Sequence, residues 1–317
     1  MLRLILCFIL SNIVSCYIFT NNVVNVPTSP SSVYFSGAGI YFWWQMGAAK
    51  YMKENCDPKL WSSMTTVGAS AGSITASLLR TNADLDLVPY AALEVANEID
   101  LFDRKTGLAG IWGSLLRKWL DIVIPESLNP LDLQDFYIAI TPTFKSPKLV
   151  TNFQSKEDLI DAIMASCHVP VFLDGRPFTE YKGEQVLDGS FWYFVTKDRY
   201  TGLPLPTKKT SGDIYWVDYC DDEDFLHSVS GNFLELTSPD GMFDMIESGY
   251  NFMKREHYNG KLPQTRNNKP NSNFASPIKR TLIDKKAKGD TELIKKVSEG
   301  KFGKIMTILN KNMPSFI

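Results

Sequence analysis

The residues best suited to chemistry are centred on Ser70, in the pentapeptide Gly68 to Gly72 (GASAG). The apolar and β-branched run from Trp61 to Val67 predicts a strand, and Ser73 to Leu79 predicts the first turns of a helix. A serine at a tight turn between strand and helix is exposed at a helix N-terminus, where free N–H groups favour developing negative charge. Small residues would also suit an ordinary glycine-rich turn, but the flanking strand and helix favour a nucleophilic serine.

A serine hydroxyl becomes a good nucleophile only when a base takes its proton. The dipeptide Asp-Gly occurs at positions 174, 188 and 240, so the dipeptide alone says little. Only Asp188 directly follows a predicted strand, Gln185 to Leu187, whose end can hold a carboxylate rigidly. A free aspartate, with a pKa of ~3.9, is a weak base, so we expect partial burial to raise the pKa of Asp188.

A second glycine turn, Gly37-Ala38-Gly39, follows the predicted strand Ser32 to Ser36. Its N–H groups could form an oxyanion hole for the serine. The spacing also allows a dinucleotide-binding turn, but the third glycine of that fingerprint is absent because position 42 is Phe. We therefore favour the oxyanion interpretation.

Apolar residues recur at helical spacing after this turn, and Gln45 and Lys50 lie off their face. The members of the face are Ile40, Trp43, Trp44, Gly47, Ala48 and Tyr51. Strand, turn and helix thus occur twice in succession, which predicts an α/β fold with a mainly parallel sheet covered by helices.

The rest of the chain continues the alternation of helices and strands. We predict helix over 86–128, strands over Phe136 to Thr141 and Lys148 to Phe153, a helix beginning at Ser155, and a strand over Ile214 to Val217. Asp158 is placed to complete the cap at Ser155, and Pro170 ends that helix. The apolar face of residues 112–120 fits core packing better than a lid or an interfacial helix.

The chain divides into three parts. Residues 1–17 predict a cleavable signal peptide, because Arg3 precedes the apolar run Leu4 to Leu10 and polar residues follow. Residues 31–255 form the predicted catalytic domain, and residues 256–317 a basic, partly disordered extension. From Asn251 onward the chain has 15 Lys and Arg but only 5 Asp and Glu. The part before Asn251 has 18 basic and 30 acidic residues, so the charge is unevenly distributed.

Cysteine and histidine usage argues against a metal site and against a disulfide scaffold. Cys7 and Cys16 lie in or beside the predicted signal peptide, and Cys56, Cys167 and Cys220 form no CxxC pair. The 3 histidines are scattered. We expect no metal, no cofactor and no nucleic-acid partner.

Four motifs in order resemble the patatin-like phospholipase family, in particular the branch that includes adiponutrin and adipose triglyceride lipase. They are the turn at Gly37, the pentapeptide around Ser70, the stretch Ala165 to Phe172 (ASCHVPVF), and Asp188-Gly189. The similarity covers roughly Val33 to Tyr250. Four ordered motifs are together far more specific than any one of them.

The resemblance implies a three-layer α/β/α sandwich that hydrolyses acyl esters of glycerolipids. Ser70 would be the nucleophile, Asp188 the base, and Gly37, Ala38 and Gly39 the oxyanion turn. Gly68, Gly72 and Gly189 match the family's motif glycines. With the signal peptide, this implies a protein of the secretory route that contacts a membrane or lipid-droplet surface peripherally.

Two departures from the family pattern affect the predicted oxyanion turn and the aspartate motif. Ile40-Tyr41-Phe42 contains neither the usual third glycine nor the basic residue that many members place there, and Ser190 replaces a glycine or alanine. Two other functions stay open. One is an α/β-hydrolase with a Ser–His–Asp triad using His227 or His257, and the other is a lipid-binding protein with weakened catalysis.

Overall fold

The computed structural model describes residues 32–56, 64–205, 214–229 and 234–262. The predicted signal peptide and nearly all of the basic extension lie outside the described residues.

One mixed sheet organises the described part of the chain. Its strands are β1 (Ser32–Phe35), β2 (Thr65–Ala69), β3 (Phe136–Pro142), β4 (Lys148–Val150), β5 (Thr179–Tyr181), β6 (Glu184–Leu187) and β7 (Ile214–Val217). The order is β5-β6-β3-β2-β1-β7, with β4 also paired to β3. The neighbours from β7 to β3 are parallel, whereas β4, β5 and β6 pair in antiparallel fashion.

Helices flank this sheet and complete the predicted three-layer α/β/α architecture. They are α1 (Phe42–Asn55), α2 (Ala71–Arg80), α3 (Val88–Asn97), α4 (Trp112–Val123), α5 (Lys156–Ser166), α6 (Phe191–Thr196), α7 (Arg199–Gly202), α8 (Glu223–Ser228) and α9 (Pro239–Tyr258). No helix within these described ranges has the length and apolar character needed to cross a membrane.

The register of β1 against β2 brings the two glycine turns together. Phe35 pairs with Gly68, so both strands end at the same edge of the sheet. The turn after β1 contains Gly37, and the turn after β2 contains Ser70. Residues from both predicted turns therefore meet beside the start of α2.

Helices α1 and α9 touch backbone to backbone. A Cβ atom added to Gly47 would lie 1.8 Å from the carbonyl oxygen of Ile246, and one added to Gly249 would lie 1.8 Å from that of Trp44. Glycine is needed where backbones approach this closely. Helix α1 also contacts α2, so it is enclosed on more than one side.

This enclosure corrects the prediction that Gln45 and Lys50 lie away from the buried face of α1. Gln45 is fully buried, and its side-chain nitrogen donates to the carbonyl oxygen of Ser36 at 2.7 Å. Lys50 is also buried and forms ion pairs with Glu54 and Asp86. Both polar groups are paired inside, as buried polar groups usually are.

Several predicted boundaries were also wrong, and strand β4 ends at Val150 instead of the predicted Phe153. Strand β2 continues to Ala69, beyond the predicted end at Val67, while residues 57–63 lie outside the described ranges. The predicted helix over 86–128 is two helices, α3 and α4. Helix α3 ends at Asn97, and Asp100 shortly after it adopts a left-handed conformation with φ at 50°. Helix α1 begins at Phe42, and Ile40 belongs to a preceding 3₁₀ turn.

The predicted cap of α5 is confirmed. The hydroxyl oxygen of Ser155 accepts a hydrogen bond from the backbone N–H of Asp158 at 3.2 Å. The helix ends at Ser166, before the predicted end at Pro170, and the carbonyl oxygens of Ser166 and His168 accept from the residues that follow β6. This end of α5 is part of the site described next.

Candidate active site

Ser70 occupies a strained turn between β2 and α2. Its φ and ψ angles are 52° and −129°, a region that costs a non-glycine residue of order 1–3 kcal/mol. Close packing holds the turn. A Cβ atom on Gly68 would lie 2.5 Å from the carbonyl oxygen of Gly72, and one on Gly72 would lie 2.1 Å from that of Phe35. The motif glycines are therefore required by backbone contact on both sides of the serine.

The structure brings Ser70 and Asp188 into direct contact. The Ser70 hydroxyl donates to Oδ2 of Asp188 at 2.6 Å. The other carboxylate oxygen, Oδ1, accepts the backbone N–H of Ser190 at 2.8 Å. One oxygen is thus fixed by the backbone, and the other faces the serine hydroxyl.

Burial gives this carboxylate the properties of a base near neutral pH. Asp188 is only 3% exposed. Desolvation raises the pKa of Asp188 to about 7, while the hydrogen bonds from Ser70 and Ser190 act in the opposite direction. The predicted rise in the pKa of this side chain is confirmed, with burial as its cause.

Ser166, at the end of α5, supports the turn at Ser70 and the turn after Asp188. The sequence analysis did not identify it as a site residue. Its hydroxyl oxygen accepts the backbone N–H of Ser70 at 2.9 Å. Its carbonyl oxygen accepts the N–H of Gly189 at 2.8 Å, and a Cβ atom on Gly189 would lie 2.8 Å from the Ser166 hydroxyl. The signal available in the sequence was a lone polar residue on the apolar face of α5.

Of the predicted oxyanion turn, Gly39 lines the cavity with Ser70, whereas Gly37 and Ala38 are not among its lining residues. Gly39, with φ at 55°, and Ile40 line the same cavity as Ser70 and Ala71. Ala71 is the first residue of α2, and the first N–H groups of a helix have no partner within that helix. Since the N–H of Ser70 is engaged by Ser166, the turn at Gly39 and the start of α2 are the sites left for oxyanion donors.

Ser190, the departure in the aspartate motif, packs directly on this turn. A Cβ atom added to Gly37 would lie 2.2 Å from the Ser190 hydroxyl oxygen. Ser190 is fully buried, and within the described residues its hydroxyl has no hydrogen-bond partner. It therefore contacts the oxyanion turn with its side chain and Asp188 with its backbone.

An apolar cavity opens from the serine and encloses about 1060 Å³ of empty space, counting its open mouth. Its walls come from the starts of α1 and α2, from α3 and α4, and from the segment leading into α9. The apolar residues that line it include Phe42, Trp43, Ile74, Ala92, Ala96, Leu108, Trp112, Leu115, Trp119, Phe172, Leu236 and Met242. Helix α4 is thus both core and cavity wall.

The histidines lie apart from the serine and the aspartate side chains. His168 is fully buried with Nε2 3.2 Å from the carbonyl oxygen of Arg176, and burial lowers its pKa. Nδ1 of His257 lies 2.8 Å from the hydroxyl of Tyr51 on α1, and His227 lies in α8. In the described ranges, no hydrogen bond joins a histidine side chain to Ser70 or Asp188.

Comparison with known proteins gives a consistent family assignment. Residues 33–195, half of the chain, match the family model described as patatin-like phospholipase. The human omega-hydroxyceramide transacylase is 30% identical over 171 residues, which are 52% of this chain and 31% of that protein. Human patatin-like phospholipase domain-containing protein 4 is 28% identical over 49% of this chain and 62% of its own length.

Each of these matches therefore spans less than two thirds of the relative. A solved structure, VipD from Legionella pneumophila, aligns over 59% of this chain and 49% of its own at 15% identity, with a TM-score of 0.38. The family model, which matches half of the chain, decides the assignment. The chain belongs to the patatin-like phospholipase family.

Proposed function

We propose that this protein hydrolyses fatty-acyl esters of glycerolipids through a Ser70–Asp188 dyad. The observation that carries the proposal is the 2.6 Å hydrogen bond from the serine hydroxyl to a buried carboxylate. The bond lies at the wall of an apolar cavity, which suits an acyl chain. Family membership supports the same reaction class.

In the first half of the reaction, Oγ of Ser70 attacks the ester carbonyl carbon while Oδ2 of Asp188 takes its proton. Negative charge develops on the carbonyl oxygen, where backbone N–H groups near Gly39 and Ala71 would stabilise it. Collapse of the tetrahedral intermediate breaks the ester C–O bond, and Asp188 returns the proton to the leaving alcohol. The acyl group is then esterified to Ser70.

In the second half, Asp188 takes a proton from a water molecule that attacks the acyl-enzyme. The fatty acid leaves and the proton returns to Ser70. If another alcohol replaces water at this step, the same site transfers the acyl group. Similarity to a protein named a transacylase makes that second outcome worth measuring.

The two functions left open by the sequence receive less support. A Ser–His–Asp triad needs a histidine within hydrogen-bond reach of the serine, whereas Ser70 bonds directly to Asp188. A protein that only bound lipid would not need a strained serine beside a carboxylate whose pKa is about 7. Perturbed titratable groups in a cleft are typical of catalytic sites.

Labelling with a fluorophosphonate probe, beside a lipid panel, tests the proposal. We expect the wild-type protein to be labelled at Ser70 and to release fatty acid from glycerolipids, and Ser70→Ala to do neither. Product analysis in the presence of an acceptor alcohol separates hydrolysis from transfer. A folded wild-type protein that is not labelled, and that releases no fatty acid, would refute the proposed function.

We expect the acylation rate to depend on pH with a midpoint near the Asp188 pKa of about 7. Only the ionised carboxylate can accept the serine proton, so the rate should rise about tenfold per pH unit below the midpoint and level off above it. The measurement is kcat/KM for a soluble ester from pH 5 to 9, with circular dichroism as a check on folding. A midpoint near 4, or a flat profile, would contradict a buried aspartate base.

We propose further that the basic extension holds the enzyme on anionic membranes. Lys and Arg near such a surface contribute ~1 kcal/mol each, screened by salt over ~10 Å at 0.1 M. Because Leu262 is buried in the core, the chain should be truncated after this residue. We expect truncation to reduce sedimentation with anionic liposomes at low salt and to spare turnover of a soluble ester. Unchanged sedimentation would show that the extension is not the anchor.

A further inference from the structure

We propose that an aromatic cluster formed by Phe42, Trp43 and Trp119 closes the inner end of the cavity and sets the length of acyl chain that Ser70 accepts. This inference rests on the proposed function and names the feature of the site that selects its substrate. All three side chains line the cavity that contains Ser70.

Burial shows which end of the cavity is open. Phe102 lines the cavity and is 41% exposed, so it lies at the mouth. Trp119 is 4% exposed, Phe42 5% and Trp43 8%. The rings of the cluster are therefore enclosed, whereas Phe102 reaches solvent.

Helix α4 shows the direction of the cavity between these ends. Trp112, Leu115 and Trp119 share one face of the helix and all line the cavity. Trp112 is half-buried, whereas Leu115 and Trp119 are buried. At 1.5 Å per residue, the seven positions from Trp112 to Trp119 cover roughly 10 Å along the helix axis. The cavity wall thus becomes more enclosed along α4, toward the cluster.

The three rings form a wall held by mutual contact. The centroid of Phe42 lies 5.4 Å from that of Trp119 and 4.9 Å from that of Trp43, both in edge-on geometry. The centroids of Trp43 and Trp119 are 6.1 Å apart. Aromatic pairs at such distances attract one another beyond their burial.

A hydrogen bond fixes the ring of Trp119. Nε1 of Trp119 donates to the carbonyl oxygen of Val88, the first residue of α3, at 3.1 Å. The indole therefore joins α4 to the end of α3 that lies away from the mouth, while the other end of α3 leads to Phe102. An acyl chain that reaches the cluster would meet side chains that cannot easily rotate away.

Such a wall should discriminate by chain length. A chain too long for the space must displace packed rings, and each methylene gained or lost in a hydrophobic pocket changes the rate by about tenfold or more. We therefore expect the wild-type enzyme to prefer an intermediate acyl length and to lose efficiency sharply beyond it.

The test is kcat/KM for p-nitrophenyl esters from butanoate to hexadecanoate, with Ser70→Ala as the background. Trp119→Leu should raise the ratio of long-chain to short-chain kcat/KM by about tenfold or more, since it opens the inner end by more than one methylene. Phe42→Leu removes a second ring of the same wall and should shift the ratio in the same direction. It keeps the test decisive should Trp119→Leu fail to fold.

Leu116→Ala is the matched control. Leu116 lies on the same helix and is fully buried, but it packs away from the cavity. It should lower thermal stability and leave the chain-length ratio unchanged. An unchanged ratio in the folded cluster variants, or an equal shift in Leu116→Ala, would overturn the inference while leaving the proposed function intact. Failure of the wild type to hydrolyse any ester would overturn both.

Discussion

Replacing Asp188 with asparagine should abolish ester hydrolysis about as completely as replacing Ser70 with alanine. The side chain that accepts the serine hydrogen bond at 2.6 Å would keep its size but lose its ability to take the proton. Catalytic residues that act as one unit each cost nearly the whole effect when removed, about 10⁴-fold or more in kcat. The measurement is kcat for a soluble ester with each variant, on protein shown to be folded.

The same substitution should not weaken the fold at alkaline pH. Because burial raises the Asp188 pKa from 3.8 to about 7, the folded state binds this proton more tightly than the unfolded state. The contribution of this carboxyl to stability is therefore fully present below pH ~4 and is lost as the pH rises through 7. At pH 8 the wild-type protein holds a buried carboxylate at a cost on the order of 4 kcal/mol, from 1.36 kcal/mol per pKa unit. We expect the melting temperature of Asp188→Asn at pH 8 to equal or exceed that of the wild type.

Histidine variants are the comparison that could contradict the dyad. His227→Ala and His257→Ala should keep substantial turnover. His168→Ala should lose stability, because it removes a fully buried side chain, but the folded fraction should remain active. An active Asp188→Asn beside an inactive, folded histidine variant would replace the dyad by a triad.

The local parts of this site could be predicted from the sequence. The order of strand, glycine turn and helix around Ser70 is visible in consecutive residues, and so is the strand before Asp188. Each depends on short-range pattern, where turn chemistry and periodicity are most informative. The structure confirms the adjoining elements β2, α2 and β6.

The unpredicted parts all depend on contacts between distant positions. Ser166 bonds to the backbone of Ser70 across 96 positions of the chain, and its place as a polar residue on the apolar face of α5 does not reveal that partner. Helix α9, about 200 positions later, packs on the side of α1 that carries Gly47, whereas Gln45 is buried by bonding to Ser36 and Val217. Sequence periodicity describes one buried face of a helix and cannot show that another element covers the opposite side.

Ser190, which replaces the glycine or alanine of the family pattern, is another residue whose effect depends on a contact that the sequence does not show. In sequence, a serine in place of glycine or alanine has no evident consequence. In the structure, its side chain fills the space beside Gly37. The identity of residue 190 therefore limits which residues position 37 can accept.

We expect Gly37→Ala to lower kcat/KM by about 10²–10³-fold, the effect of losing one oxyanion donor, because the turn would have to move. The new Cβ atom would lie 2.2 Å from Oγ of Ser190 and 2.6 Å from its Cβ atom. The next neighbour, an atom of the Phe194 ring, is 3.2 Å away and can yield slightly. Gly37 is not among the glycines with positive φ, so the obstacle is the contact with Ser190 and not the backbone conformation.

Because the contact with Ser190 is the obstacle, a second substitution at position 190 should reverse the loss of kcat/KM. Adding Ser190→Gly should raise kcat/KM by about tenfold or more relative to Gly37→Ala alone, because it removes both atoms that clash with the new Cβ atom. The turn can then place its oxyanion donor again, which recovers part of the ~10²–10³-fold effect of that donor. The backbone N–H that fixes Asp188 remains in this variant. Ser190→Ala should restore little, because it keeps the Cβ atom. Gly39→Ala is the control that Ser190→Gly should not rescue, since Gly39 has a φ of 55° and any side chain there strains the backbone itself. A fully active Gly37→Ala, or a double variant no better than the single one, would show that the oxyanion turn does not depend on this contact.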